Sequence, residues 1–368
     1  MPDSPGKLKL GGNNPAARIG AMKNDSKAVV NGKATLKNNS TVVGTIETDG
    51  TFTRKGRSAV AGEVKAATVE AIKNSLLVGD LTTTTAGNEL SIESESLVCG
   101  TIDAAGKIQI KQSRVNGTVT AAGSIRELNE STVTDDVTTT RQGTVSIMSK
   151  SLINGKIDAD GAIPEVKSSE VTGPLEANGN IGSVKQSEIG GDVTTTDGSN
   201  GTVTVEESTI GGSIDADGNV SAVKSNSEVG GDVTAGGNIP ELKYSVVTGK
   251  VETKPDSDGT ITIEGAEVGG PVTADGNVEA IKSKSRVSGD MTASGNISEV
   301  KNSDVGGKVT TTDGGDVTVE NSTIVGPMDI DRTISKIKAS DVGRSRRGRQ
   351  HYSTQRSTDQ RRRDGHRR

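Results

Sequence analysis

Aromatic side chains are almost missing from this chain. Phe52, Tyr244 and Tyr352 are the only ones, and there is no Trp. A bulky globular core therefore cannot be packed, and the flat rings on which sugars usually stack are not available. Histidine is nearly as scarce: His351 and His366 are the only two, both in the final stretch. Nucleophile–histidine catalysis and histidine-based metal sites are thereby excluded from everything upstream of them. Cys99 is the single cysteine, so no internal disulfide can form, and its place between Val98 and Gly100 points outward as a surface thiol. Mean hydropathy is −0.46, and no apolar run approaches the roughly 18 residues that cross a bilayer. The N-terminus, Met1 to Gly12, carries lysines without a following apolar stretch. A cleaved secretory signal is not expected, which leaves a cytoplasmic protein or one exported without such a signal.

What is abundant is glycine, 48 residues, together with Val, Ile, Thr and Ser in a repeating order. The stretch Ser227 to Tyr244 shows it. Ser227, Val229, Gly231, Val233 and Ala235 fall at every second position, with Glu228, Gly230, Asp232 and Thr234 between them. Period two predicts strands with one buried face. Gly-Gly and Gly-Asn steps interrupt the alternation and are expected to turn corners, with glycine or asparagine in the left-handed conformation. Three short sides and three corners make one coil.

The serine anchor recurs at Ser40, Ser58, Ser75, Ser96, Ser113, Ser131, Ser151, Ser169, Ser187, Ser208, Ser227, Ser245, Ser285, Ser303, Ser322 and Ser340, with Ala266 in the one remaining place. The expected fold is therefore all-β: a parallel three-sided β-solenoid, or β-helix, of about 16 coils of 17–21 residues. At about 4.8 Å per coil the rod would be about 75–80 Å long. The long intervals begin at Ser75, Ser131, Ser187 and Ser245, which marks a three-coil super-repeat. In those coils the second side carries a threonine run and a lengthened corner, as in Val193 to Gly201 and Val251 to Gly259. Such insertions should project from one edge, and their residues Asp197, Asn200, Asp256 and Asp258 are the candidate recognition corners.

Three segments follow from composition. Residues 1–27 read as a flexible N-terminal arm, 28–343 as the solenoid rod beginning with a truncated coil, and 344–368 as a disordered Arg-rich tail. The tail holds ten Arg against two Asp, and residues 1–39 hold seven bases against two acids. With a net charge of −5 overall, residues 40–343 carry −18, an acidic rod with basic ends. On the rod, Lys167, Lys185, Lys224, Lys243, Lys282, Lys301 and Lys338 form a column beside Glu165, Glu241, Glu279 and Glu299, expected to offset one another's repulsion.

Asp158 with Asp160, and Asp215 with Asp217, are spaced like the carboxylate pairs of polysaccharide-processing β-helices. Their recurrence in successive units marks a fold position instead. Asp215 to Asn219 opens like a calcium loop but lacks its glycine and its closing glutamate, so no metal and no cofactor is expected. Charges interrupt the outward threonine column and argue against an ice-binding face. The Gly-Asn corners at Asn180, Asn219, Asn238, Asn277 and Asn296 are expected to stack as an amide ladder. The tail residues Arg344, Arg346, Arg347, Arg349, Arg356, Arg361, Arg362, Arg363, Arg367 and Arg368 are candidate anion binders. They can neutralise phosphates of nucleic acid or an anionic lipid surface, fold back on the acidic rod, engage the next rod, or serve as an export signal.

The Val-x-Gly-x-Val step, the near-18-residue coils, the small aliphatic core, the scarcity of aromatics and the charged ends resemble bactofilins, bacterial polymer-forming cytoskeletal proteins. The resemblance covers roughly residues 28–343. It implies a right-handed, three-sided β-helix that polymerises end to end without nucleotide and scaffolds cell-envelope machinery. The chain departs from that family in its greater length, its three-coil duplication and its Arg-rich tail. The expected function is that of a non-enzymatic structural or scaffold protein, self-associating or holding protein partners. The alternatives are an exported effector or adhesin-like rod and, more distantly, a polysaccharide-active enzyme.

Overall fold

The computed structural model describes residues 8–10, 27–37, 40–196 and 201–343. Among them are fifty strands and no helix. All strand pairs are parallel, and each strand pairs with its counterpart one coil away, so the chain winds as a parallel β-solenoid. A coil contributes three strands to three ladders; Glu228–Val229, Val233–Ala235 and Ile239–Lys243 are one such set. The first ladder runs from Thr41–Val43 to Asp341–Val342. Two strands, Lys27–Val30 and Ala34–Lys37, precede Ser40, and Leu8–Leu10 adds a further strand onto Ala34–Leu36.

The period-two pattern fills a thin core. Val229, Val233, Ala235, Ile239 and Leu242 are each at most 1% exposed, and the same positions are buried coil after coil. Burying each aliphatic side chain contributes roughly 1.5–3 kcal/mol before chain entropy is subtracted. The third strand alternates between two forms. In most ordinary coils two core residues are separated by two others, as Ile239 and Leu242, whereas in the long coils, and in the coil of Ser96, the spacing is strict, as Ile261 and Ile263 or Ile108 and Ile110. The register shifts once where the two forms meet, a one-residue bulge that absorbs the difference.

Each corner uses its own chemistry. Between the third and first strands, from the coil of Ser75 onward, the residue before the anchor takes a left-handed conformation whatever its type: Asn74 at φ 46°, Glu130 at 49°, Lys150 at 60° and Tyr244 at 48°. The serine that follows is buried and ties the stack. The Ser208 N–H donates to Ser227 Oγ at 3.3 Å, and Ser227 Oγ donates to the Lys224 carbonyl at 2.6 Å. Ala266 has no hydroxyl to offer and interrupts this ladder.

The left-handed residues expected at the Gly-Asn steps are therefore at a different corner. Asn180, Asn219, Asn238, Asn277 and Asn296 are not among the residues with positive φ. They do stack, but through the main chain rather than amide to amide. The side-chain carbonyl of Asn238 accepts the Thr260 N–H at 2.8 Å, and that of Asn277 accepts the Asn296 N–H at 2.8 Å. Glycine at the corner after the first strand serves close approach. A Cβ on Gly270 would lie 2.7 Å from the Gly249 carbonyl carbon and oxygen and 2.8 Å from the Lys250 nitrogen. The same position is glycine in every coil from Ser40 to Ser322 except that of Ser131, where Asp135 stands.

Candidate functional site

The inserted corner lies between the second and third strands and is held by a buried threonine. In ordinary coils the second strand ends on alanine, whose carbonyl accepts an N–H from the next coil, as Ala216 accepts Gly236 at 2.8 Å. The long coils place threonine there. Thr253 Oγ1 donates to the Gly259 carbonyl at 3.3 Å across the insertion and accepts the Asp275 N–H at 2.8 Å. Thr139, Thr195 and Thr311 make the same pair of bonds, to Gly143, Gly201 and Gly315 and from Asp160, Asp217 and Asp331. Thr311 belongs to the coil of Ser303, whose interval is not long. The super-repeat thus continues into a fifth unit that interval lengths alone conceal.

The aspartate of the following coil completes the clasp. Asp275 Oδ2 accepts the Ser257 and Asp258 N–H groups at 2.8 and 3.0 Å, Asp160 accepts Gln142 at 2.6 Å, and Asp331 accepts Gly314 at 2.7 Å. Of the candidate recognition residues, Asp256 and Asp258 are exposed, with φ of 62° and 51°, at the tip of the clasped corner. Asp197 and Asn200 lie outside the described residues, as do all ten tail arginines from Arg344 to Arg368.

The paired aspartates are brought together but are separately engaged. Asp158 meets Lys156 at 3.0 Å, while Asp160 holds the inserted corner. Asp215 and Asp217 share Lys254 at 2.9 and 3.0 Å. Burial pulls the Lys254 pKa down, but hydrogen bonds to the two carboxylates outweigh it and leave the pKa raised. Among the described residues no three His, Cys, Asp or Glu groups are arranged to hold a metal ion.

The three outer faces differ in charge. On the third, the expected lysine column is interrupted in register by Glu206, Glu264 and Glu320, giving Lys-Lys-Glu triplets. Glu264 meets Lys243 at 3.4 Å and Lys282 at 3.6 Å, and Glu320 meets Lys336 at 2.8 Å and Lys338 at 3.1 Å. The two lysine hydrogen bonds hold Glu320 at a pKa of about 2. On the second face Asp158, Glu176, Asp215, Glu252 and Asp329 pair with Lys156, Lys250, Lys254 and Lys308.

The first face has no ion pair among the described residues. Its outward residues from Thr41 to Asn154 include no acid. Val43, Leu76 and Val78 there are 63%, 37% and 46% exposed, beside a half-exposed Cys99. From Glu170 onward the same face turns acidic, with Glu170, Glu188, Glu228, Glu267, Asp304 and Asp341 exposed in one file. Grooves of about 630 and 600 Å³ run beside this file along the serine corner.

Two further features escaped the sequence reading. Arg54 is 0% exposed and stands in register between Leu36 and Ile72. Its Nη2 donates to the Ser58 carbonyl and, at 2.6 Å, to that of Leu76, whereas Nη1 has no partner. Desolvation lowers its pKa from 12.5 to about 10. The visible signal was a base at a position where neighbouring coils carry Leu or Ile. The other feature is the final coil, where Ile330, Ile334, Ile337 and Val342 pack against the core yet stay partly exposed. The matching residues one coil earlier, Thr311, Val317, Val319 and Ile324, are at most 3% exposed.

No helix among the described residues is long and apolar enough to cross a membrane. Compared with protein-family models, with curated proteins and with solved structures, the chain has no match.

Proposed function

We propose that the chain is a non-enzymatic structural rod that joins other copies through its ends, in the manner the bactofilin resemblance implies. The observation that carries this is the last coil, whose Ile330, Ile334, Ile337 and Val342 leave core positions partly open. A parallel solenoid gains stability only by stacking, so an open terminal coil favours another coil placed upon it. The non-enzymatic part is supported by the engagement of Asp158, Asp160, Asp215 and Asp217 in ion pairs and corner bonds. Electron microscopy and sedimentation of the purified chain test the proposal. Rods that lengthen with concentration, and that stay single in an Ile334→Asp/Ile337→Asp variant with an unchanged β-sheet spectrum, are expected. A wild-type chain that remains single at every concentration would overturn end-joining.

The exported, adhesin-like alternative rests on the Arg-rich tail. Deleting residues 344–368 separates the two readings: the structural rod keeps its assembly, whereas an export signal would be lost with the tail.

A further inference from the structure

The first face is an unpartnered sheet face with an uneven charge, and its acidic half is the half from which the tail departs. On the other two faces most carboxylates find a base, but the six acids from Glu170 to Asp341 find none among the described residues. From Glu188 they recur at alternate coils, Glu188, Glu228, Glu267, Asp304 and Asp341, which sets them about 10 Å apart. Arg286 is the one base within the file. The last described residue, Gly343, stands directly after the final first-ladder strand, Asp341–Val342.

We propose that residues 344–368 lie back along the first face of their own rod, with arginines paired to the Glu188, Glu228, Glu267 and Asp304 carboxylates. The match is one of charge, reach and spacing. Ten arginines against two aspartates meet a file whose one base, Arg286, forms no ion pair with its acids among the described residues. The 25 residues span about 80–90 Å when extended, while the file from Asp341 back to Glu170 covers nine coil steps, about 43 Å. Arginines three residues apart, such as Arg344 with Arg347 or Arg346 with Arg349, fall about 10 Å apart in extended chain, the spacing of the acids. The beds already exist as the grooves beside the file, one of them lined by the half-exposed ring of Tyr244.

Charge also selects the tail's own rod over a neighbour placed end to end. A tail that ran forward across such a junction would meet residues 1–39, with seven bases against two acids. Beyond them it would meet a first face without a carboxylate until Glu170. The tail so placed is a salt-releasable strap that hides its arginines from phosphate-bearing partners until ionic strength or a stronger polyanion displaces it. This arrangement is independent of end-joining.

Trypsin digestion of the full chain, followed by mass spectrometry of the released tail peptides, tests it. The reference is the synthetic peptide 344–368 under the same conditions. Cleavage within the tail should be ~10-fold slower than in the peptide at ~20 mM salt and equal to it at ~0.5 M, where the Debye length is only a few Å. The variant Glu188→Gln/Glu228→Gln/Glu267→Gln changes only exposed side chains. It should lose the protection at low salt while keeping its melting temperature. Equal cleavage of wild type and peptide at low salt, or full protection in the variant, would overturn the proposal. Protection that fades on dilution would also overturn it, by assigning the tail to another copy.

Discussion

Replacing Thr253 by valine keeps the buried shape and removes only the hydroxyl that spans the inserted corner. Thr253 is 4% exposed, and its Oγ1 serves both the Gly259 carbonyl and the Asp275 N–H. Valine leaves both without a partner. Gly259 is buried but Asp275 is half-buried, so water relieves part of the loss. Leaving buried polar groups unpaired costs about 1–3 kcal/mol, which corresponds to a ~5- to 150-fold rise in local opening. Asp275 also holds Ser257 and Asp258, so the whole insertion should loosen with it. Coupling in a solenoid is between neighbours, and the equivalent clasp at Thr195 should stay intact. Hydrogen exchange followed by mass spectrometry reads this directly: the amides of 254–260 and of Asp275 should exchange faster, those around Thr195 should not, and Thr253→Ser should retain most of the protection. Wild-type exchange in the valine variant, or equal damage from serine and valine, would refute the reasoning.

Other perturbations separate the remaining devices. Gly270→Ala places a Cβ against the backbone of the coil before it, so urea unfolding should show a loss of about 1–3 kcal/mol rather than the usual gain from replacing glycine. Arg54→Leu removes an uncompensated charge from an aliphatic file; after two carbonyl bonds are forfeited, a net gain of ~1 kcal/mol or more is expected, and a loss would show that those bonds dominate. Glu320 has a folded pKa of about 2, below its ordinary 4.5, so its contribution is complete above about 4.5 and is lost as pH falls through about 2. Cleavage of the last coil, 333–343, by pepsin, taken relative to a synthetic peptide of the same residues at each pH, should therefore increase over that window in the wild type and show no such trend in Glu320→Gln.

The parallel solenoid and its coil boundaries were legible because both are written in side chains: Val and Ile at alternate positions, a buried serine at each turn. The corners were less so. Asn74, Glu130, Lys150 and Tyr244 share a left-handed backbone that none of their side chains demands, since the stacked main-chain bonds on either side impose it. Glycine was expected at the corner for its freedom in φ, which Gly44, Gly62 and Gly79 use, but at Gly270 it is the neighbouring coil that excludes a side chain. Of the candidate site, the inserted edge was located from interval length, and Asp256 and Asp258 do stand on it. The fifth unit was hidden because its insertion at Asp313 and Gly314 is short, although Thr311 carries the same signature as Thr253. The uneven first face went unread because it appears only when outward residues of many coils are compared as a file.

The clasp makes the rod a ruler. Thr139, Thr195, Thr253 and Thr311 close off whatever lies between strand and strand, so the length and composition of each insertion can change without altering the stack beneath it. Three coils advance the rod by about 14 Å, and foreign peptides grafted into successive insertions would be displayed along one edge at that fixed pitch.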